Sequence, residues 1–242
     1  LSMRMTKENK DSLEKEILMK IEGSNTMKML ASFSGGKDSM LSLDRAIEQG
    51  NEIEGLFVTV DADGSSWFHD INNDVLEAVS MSLGIPLFLC PCRQGEGYTE
   101  DFEKYMKQII ILTGAQACIF GDIDIEAHRA WAEERAENLG IEAVFPLWQE
   151  NRKKLVSEVV DKGYGAVIKK VSRKHLGSAY LGRVLDHELI EEFEDMGIDS
   201  CGENGEYHTL VYDGPAFRKK INIRLGKISE NEYCFSREIE LA

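Results

Sequence analysis

The chain has 242 residues, 43% of them hydrophobic and 29% charged, which excludes a disordered or fibrous chain and leaves room for one large domain or a domain with an appendage. Its formal charge of −15 argues against nucleic acid as a partner, because gripping that polyanion depends on Lys and Arg displacing counterions. No apolar run approaches the roughly 20 residues that span a bilayer, and the five scattered cysteines contain no CxxC pair, so a soluble, unexported, cytoplasmic protein without membrane partner, disulfide framework or zinc site is expected.

Leu1-Ser2-Met3 reads as a ragged or expression-derived start. Residues 7–22 carry Leu13, Ile17, Leu18 and Ile21 at helical spacing among charges, which predicts an amphipathic helix within an N-terminal extension (1–25) that offers packing or a homodimer contact. Next, an apolar run over 27–33 ends at Gly35-Gly36, and Leu41, Leu43 and Ala46 lead on to Gly50: strand, tight loop, helix. The alternation continues with strands over 53–60, 86–90, 117–120, 143–145 and 166–169, separated by helices over 73–83, 101–112, 126–139 and 154–162. Such alternation predicts an α/β domain over 26–170, a mainly parallel sheet with helices on both faces. Ligands in such sheets sit beyond the carboxyl ends of the strands, near the switch in strand order. After about residue 170 the rhythm changes to a helix over 186–196, a Gly-rich turn through 201–205 and alternating stretches at 222–225 and 233–235. These read as a smaller α+β region (171–242) set over the ligand edge.

Ser34-Gly35-Gly36-Lys37-Asp38-Ser39 lies where the first strand hands over to a helix. Two consecutive glycines let the backbone adopt conformations closed to other residues and approach a ligand closely. The helix end behind them suits an anion, Ser34 and Ser39 add hydroxyl donors, and Lys37 adds a point charge. Gly121-Asp122-Ile123-Asp124 follows another strand directly, and helical spacing puts Asp124 and His128 on one face with Arg129 offset. Gly121 and Asp122 are therefore candidates for the nucleotide side, and His128 and Arg129 for the substrate side. Phe145-Pro146-Leu147-Trp148 is a rigid aromatic turn expected to plug the sheet edge, with support of adenine or substrate as the alternative, while His69 follows the second strand at the ligand edge. Cys201 to Thr209 (CGENGEYHT) packs two carboxylates, an amide, an imidazole and a hydroxyl between glycines, a density that costs stability unless the groups bind something.

The SGGKDS hexapeptide resembles the SGGxDS loop of the PP-loop ATP pyrophosphatases and not the GxxxxGK[ST] loop of ordinary nucleoside triphosphatases. That resemblance implies ATP held by Ser34 to Ser39 with its α-phosphate open to attack, pyrophosphate as leaving group, and Mg²⁺ with Asp38 as a ligand. Taken together, SGGKDS, GDIDIEAHRAW, FPLW and CGENGEYHT resemble the diphthine–ammonia ligase family of N-type ATP pyrophosphatases. The implied fold is the three-layer adenine-nucleotide α-hydrolase-like (HUP) domain. The implied reaction adenylates an acceptor carboxylate, then lets ammonia or an amine displace AMP; the implied acceptor is the modified histidine of translation elongation factor 2. Lys37 and Asp38 would serve the ATP half of that chemistry, and Glu203, Glu206 or His208 would position the nucleophile or take its proton. Substrate contacts would come from His69, His128, Arg129, Asn204, Tyr207 and Thr209. One departure stands out: the family pattern EGGE[FY]E[TS] is replaced by Glu203-Asn204-Gly205-Glu206-Tyr207-His208-Thr209, which resembles a subgroup proposed to act in cobalamin salvage and implies a corrinoid-related acceptor. The competing readings are an RNA-modifying PP-loop enzyme, opposed by the acidic balance, and a nucleotide-binding sensor without turnover, from which assay of AMP would separate the ligase.

Overall fold

The computed structural model describes residues 26–61 and 71–242; the expected helix over 7–22 and His69 lie outside the described residues. Five parallel strands, β1 (Lys28–Ser32), β2 (Glu52–Val60), β3 (Leu87–Pro91), β4 (Ala117–Ile119) and β5 (Glu142–Val144), form one sheet in the order β3-β2-β1-β4-β5. Four helices connect them: α1 (Lys37–Glu48), α2 (Asn73–Leu83), α3 (Tyr98–Thr113) and α4 (Glu126–Leu139). Central β1 shows why this is a three-layer fold. Met29, Leu30 and Ala31 are all buried, as a strand covered on both faces requires. Ala31 packs in the core built by Met40 and Leu43 of α1 and Val75 and Leu76 of α2, whereas neighbouring Leu30 packs with Phe102 and Met106 of α3 and Ala132 of α4. Strands advance outward from β1 to β3, then cross back to β4 and β5, so the switch in direction falls between β1 and β4. SGGKDS leaves the end of β1 and Gly121-Asp122 leaves the end of β4.

A second sheet of β6 (Gly165–Ser172), β7 (Tyr207–Asp213), β8 (Ile223–Glu230) and β9 (Cys234–Leu241) has the order β7-β6-β9-β8 and is antiparallel throughout. Helices α5 (Arg152–Asp161) and α6 (His187–Asp195) pack beside it. Residues 166–169, expected to complete the parallel series, therefore belong elsewhere: β6 pairs antiparallel with β7 and β9. All four are buried, which reproduces the continuous run of a parallel strand. The stretches at 222–225 and 233–235 each begin one residue before an eight-residue strand, the two strands zipped as a hairpin, and β7 arises where the sequence showed only a motif.

The halves are sewn together at the cradle. Val211 donates its N–H to the Gly35 carbonyl at 2.9 Å, and Thr209 Oγ1 accepts the Lys37 N–H at 3.0 Å. On the other side of α2 the Arg218 N–H bonds the Ser82 carbonyl at 2.8 Å, and the Ser82 hydroxyl bonds the Lys219 carbonyl. No helix among the described residues is long and apolar enough to cross a membrane.

Candidate active site

The cradle is a strand-to-helix turn with a specific glycine requirement. Gly35 has φ +80°, a left-handed conformation that side chains disfavour, and a Cβ there would sit 3.0 Å from Ile71 Cδ1. Gly36 is extended, at φ −83° and ψ 171°, so only the first of the two glycines needs the conformational freedom expected of both. Ser34 and Ser39 hydroxyls lie 3.1 Å apart, and Ser39 Oγ also reaches the Gly36 carbonyl at 3.0 Å. Gly121 presses on the same turn from β4: a Cβ there would meet Ser39 N at 3.0 Å and the Asp38 carbonyl carbon at 3.1 Å. Lys37 is buried, with Nζ 2.7 Å from Asp38 Oδ2 and 5.4 Å from the centre of the Tyr207 ring. Burial opposes its charge, but Asp38 together with Cys201 and Tyr207 outweighs burial and holds the ammonium well above the ordinary lysine range.

Opposite the cradle, one carboxylate organises the turn before β7. Asp199 accepts the N–H groups of Cys201 at 3.0 Å and Glu203 at 3.1 Å, and receives Arg152 Nη1 at 2.6 Å. The same guanidinium grips Asp124 through two bonds of 2.7 Å, so Arg152 ties the segment after β4 to the turn. Asp124 therefore does not share a helical face with His128; it precedes α4 and faces Arg152, while His128 Nδ1 sits 3.2 Å from Asp122. Glu206 is buried and accepts both the N–H of Asn204 at 3.0 Å and its side-chain amide at 3.2 Å. Tyr207 donates its hydroxyl to the Ser200 carbonyl at 2.6 Å.

Between the two lies a cleft of about 210 Å³. Ser34, Lys37, Asp38, Gly121, Asp122 and His128 line it from the parallel-sheet half, and Glu203, Tyr207, His208 and Thr209 from the other. Gly35, Gly36 and Ser39 shape the loop behind that lining. Glu206 spends both oxygens on Asn204, whose Oδ1 accepts from Arg152 at 3.3 Å, and Arg129 lies over Phe145 and Trp148 (5.1 and 4.7 Å to the ring centres) with Glu133 at 2.7 Å. Leu147 is fully buried and Phe145 stacks on Phe120 at 5.4 Å, a packing role for that turn. Arg152 and Asp199 had no signal in sequence, since a charged residue at a helix start or in a loop does not announce partners 28 and 47 positions away.

Burial, seconded by Asp38, pushes the Glu203 carboxyl up to about 7, against the pull of Lys37 and Arg152. Asp122 is raised by burial and drawn back by His128. Burial, with the cations Lys170 and Lys37, lowers His208 to about 4, so its imidazole is neutral at pH 7. Magnesium ordinarily takes one or two carboxylates together with phosphate oxygens and water. Asp38 and Asp122 on one wall suit an ion delivered with a nucleotide; among the described residues no group of three or more His, Cys, Asp or Glu gathers as an all-protein metal cage.

Comparison with known proteins gives two family matches, to the diphthamide synthase N-terminal domain over residues 27–143 and the diphthamide synthase C-terminal domain over residues 151–239. The chain is similar to the diphthine–ammonia ligase of Schizosaccharomyces pombe, 28% identical over 233 residues that make up 86% of this chain and 38% of that protein. It is also similar to the diphthine–ammonia ligases of Rattus norvegicus (28% over 221 residues) and Homo sapiens (27% over 219 residues), covering 81% of this chain and 82% of each. The chain thus spans well under half of the yeast relative and about four fifths of the mammalian ones.

Proposed function

Since the chain belongs to the diphthamide synthase family, we propose that it is an ATP-dependent amide ligase that activates the carboxylate of a diphthine-type acceptor and transfers ammonia to it. ATP sits with its phosphates on Ser34 to Ser39, and the acceptor carboxylate attacks the α-phosphorus from the cleft. Lys37 neutralises charge on the departing pyrophosphate from a site that water barely reaches, where a fixed cation is most effective. Asp38 and Asp122 would hold Mg²⁺, which when bound supplies further charge neutralisation on the phosphates. Ammonia then attacks the acyl-adenylate, and AMP leaves.

One observation carries this reading: the phosphate loop and the CGENGEYHT turn, distant in sequence, face each other across a single cleft and are joined at it by the Lys37 to Thr209 and Val211 to Gly35 bonds. The test is to incubate the full chain with ATP, Mg²⁺, ammonium and diphthine-bearing elongation factor 2. AMP, pyrophosphate and the acceptor amide are expected together, and only when all components are present. Absence of amide with an acceptor proven to carry diphthine would overturn the acceptor assignment; AMP formed without any acceptor would overturn the ligase assignment. A second acceptor is favoured by His208, whose neutral imidazole occupies the cleft wall where the family pattern carries a carboxylate and so better admits an anionic molecule. A corrinoid-related carboxylate supplied in a parallel reaction separates the two.

A further inference from the structure

We infer that Glu203, and not Glu206 or His208, takes the proton that an incoming ammonium must lose before its nitrogen can attack the activated carbonyl; this rests on the ligase reading above. The three groups lie close in sequence but in very different positions, Glu203 and Glu206 before β7 and His208 on it. Glu206 is turned into the protein, and both of its oxygens are occupied by Asn204. His208 reaches the cleft, but burial first, and then the charges of Lys170 and Lys37, oppose protonation of its ring. Glu203 lines the cleft, and its backbone is clamped through Asp199 and Arg152 to the segment that follows β4.

The surroundings of Glu203 suit a cationic nitrogen. The charged and titratable groups around it are Lys37 and Asp38 at the start of α1, Asp122 and His128 after β4, Arg152 at the start of α5, Cys201 just before it, and Tyr207 and His208 on β7. Lys37 is engaged by Asp38 at 2.7 Å and Arg152 by Asp124 and Asp199, so both cations already have carboxylate partners, and the ionised Glu203 carboxylate is the charge that an incoming ammonium meets. An ammonium is drawn in. With its carboxyl raised to about 7, Glu203 is poised to accept a proton at neutral pH and release it again. Ammonium gives one proton to Glu203, which passes it to water at the cleft mouth. The freed nitrogen lone pair forms the C–N bond as the C–O bond to the adenylate phosphate breaks. AMP leaves with that electron pair, and the excess proton on the adduct nitrogen goes to the released phosphate. Acyl-adenylate and ammonium thus become amide, AMP and one solvent proton.

The experiment compares full-length wild type with Glu203→Gln, using diphthine-bearing elongation factor 2, ATP and Mg²⁺. Acceptor-dependent ATP–pyrophosphate exchange reads adenylation alone; amide formation from ammonium and hydroxamate formation from hydroxylamine read the second step. Hydroxylamine is unprotonated at neutral pH and needs no base to free its lone pair. Glu203→Gln is expected to keep exchange within a factor of a few, to lose about 100-fold or more in amide formation from ammonium, and to keep hydroxamate formation near wild type. His208→Gln is expected to leave the ratio of the ammonium to the hydroxylamine rate unchanged. The assignment is overturned if Glu203→Gln amidates with ammonium as wild type does, if it loses both nitrogen donors equally while exchange persists, or if the ratio collapses in His208→Gln instead. Wild type without acceptor-dependent exchange would overturn the ligase reading itself, an outcome distinct from the other three.

Discussion

Alanine at Gly121 should part the turn after β4 from the first turn of α1. Its methyl would lie 3.0 Å from Ser39 N, 3.1 Å from the Asp38 carbonyl carbon and 3.2 Å from Ser39 Cα, all backbone atoms that cannot rotate aside. Comfortable carbon contacts begin near 3.5 Å, so the turn after β4 and the first turn of α1 must part by about half an ångström. Overpacking of this kind costs about 1–3 kcal/mol, and in a chain of this length each kcal/mol lowers Tm by about 2–4 °C. The larger consequence is functional, because Lys37 and Asp38 move with α1, and misplacement approaching 1 Å in a reacting site costs up to about 100-fold in rate. Gly140 supplies the control. It closes α4 at φ +70° with no heavy atom within 4 Å of an added Cβ, so alanine there pays only the left-handed cost of about 1–2 kcal/mol. Calorimetric titration with a non-hydrolysable ATP analogue, beside thermal melts, should show both variants destabilised and only Gly121→Ala weakened in binding. Equal affinities for Gly121→Ala and wild type, or equal weakening by Gly140→Ala, would refute the reasoning.

Lys37→Ala should abolish pyrophosphate release while the protein remains folded, read by a coupled phosphate assay and circular dichroism. Arg152→Ala leaves Asp124 and Asp199 without their shared cation, so amide formation should fall while affinity for the ATP analogue, measured by calorimetry, changes little. Glu206→Gln sets an amide NH₂ against one of the two Asn204 donors, and denaturant unfolding should show a loss of about 1–3 kcal/mol. The fold's pH response should contain two opposed slopes. His208, lowered to about 4, contributes stability present above its unfolded value near 6.5 and lost as pH falls from there to about 4. Glu203, raised to about 7, contributes stability present below its unfolded value near 4.5 and lost as pH rises through 7. Between pH 4.5 and 6.5 the two offset each other, so the melting temperature of Glu203→Gln should fall more steeply on acidification than wild type, and that of His208→Gln should rise.

The strand–loop–helix at residues 28–48 was legible because local signals agree there: an apolar run, glycines at the turn, and a helical apolar repeat. So was the parallel sheet, since β2 to β5 each sit between helices of recognisable period. β6 misled for a physical reason: burial on both faces erases the alternation that distinguishes an antiparallel strand from a parallel one. The site was read in pieces. The residue types at 34–39 and 201–209 marked both walls of the cleft, but which carboxylate faces it depends on a turn whose shape is set by Asp199. Glu203 and Glu206 are indistinguishable by type and spacing, and only tertiary contacts give one to the cleft and the other to Asn204. Asp124 was assigned to a helix that begins two residues later, and its pairing with Arg152 is a contact no local pattern encodes.

The seam between Gly35 and Val211 is made by main-chain atoms on both sides, and its companion needs only a hydroxyl at 209. Strand β7 can therefore keep its hold on the phosphate loop under almost any side chain at 208. On β7 the contact with the Ser34 to Ser39 turn is written in backbone, and the lining of the cleft in side chains. Randomising position 208 while keeping the hydroxyl at 209 should reshape the cleft wall and leave the seam intact.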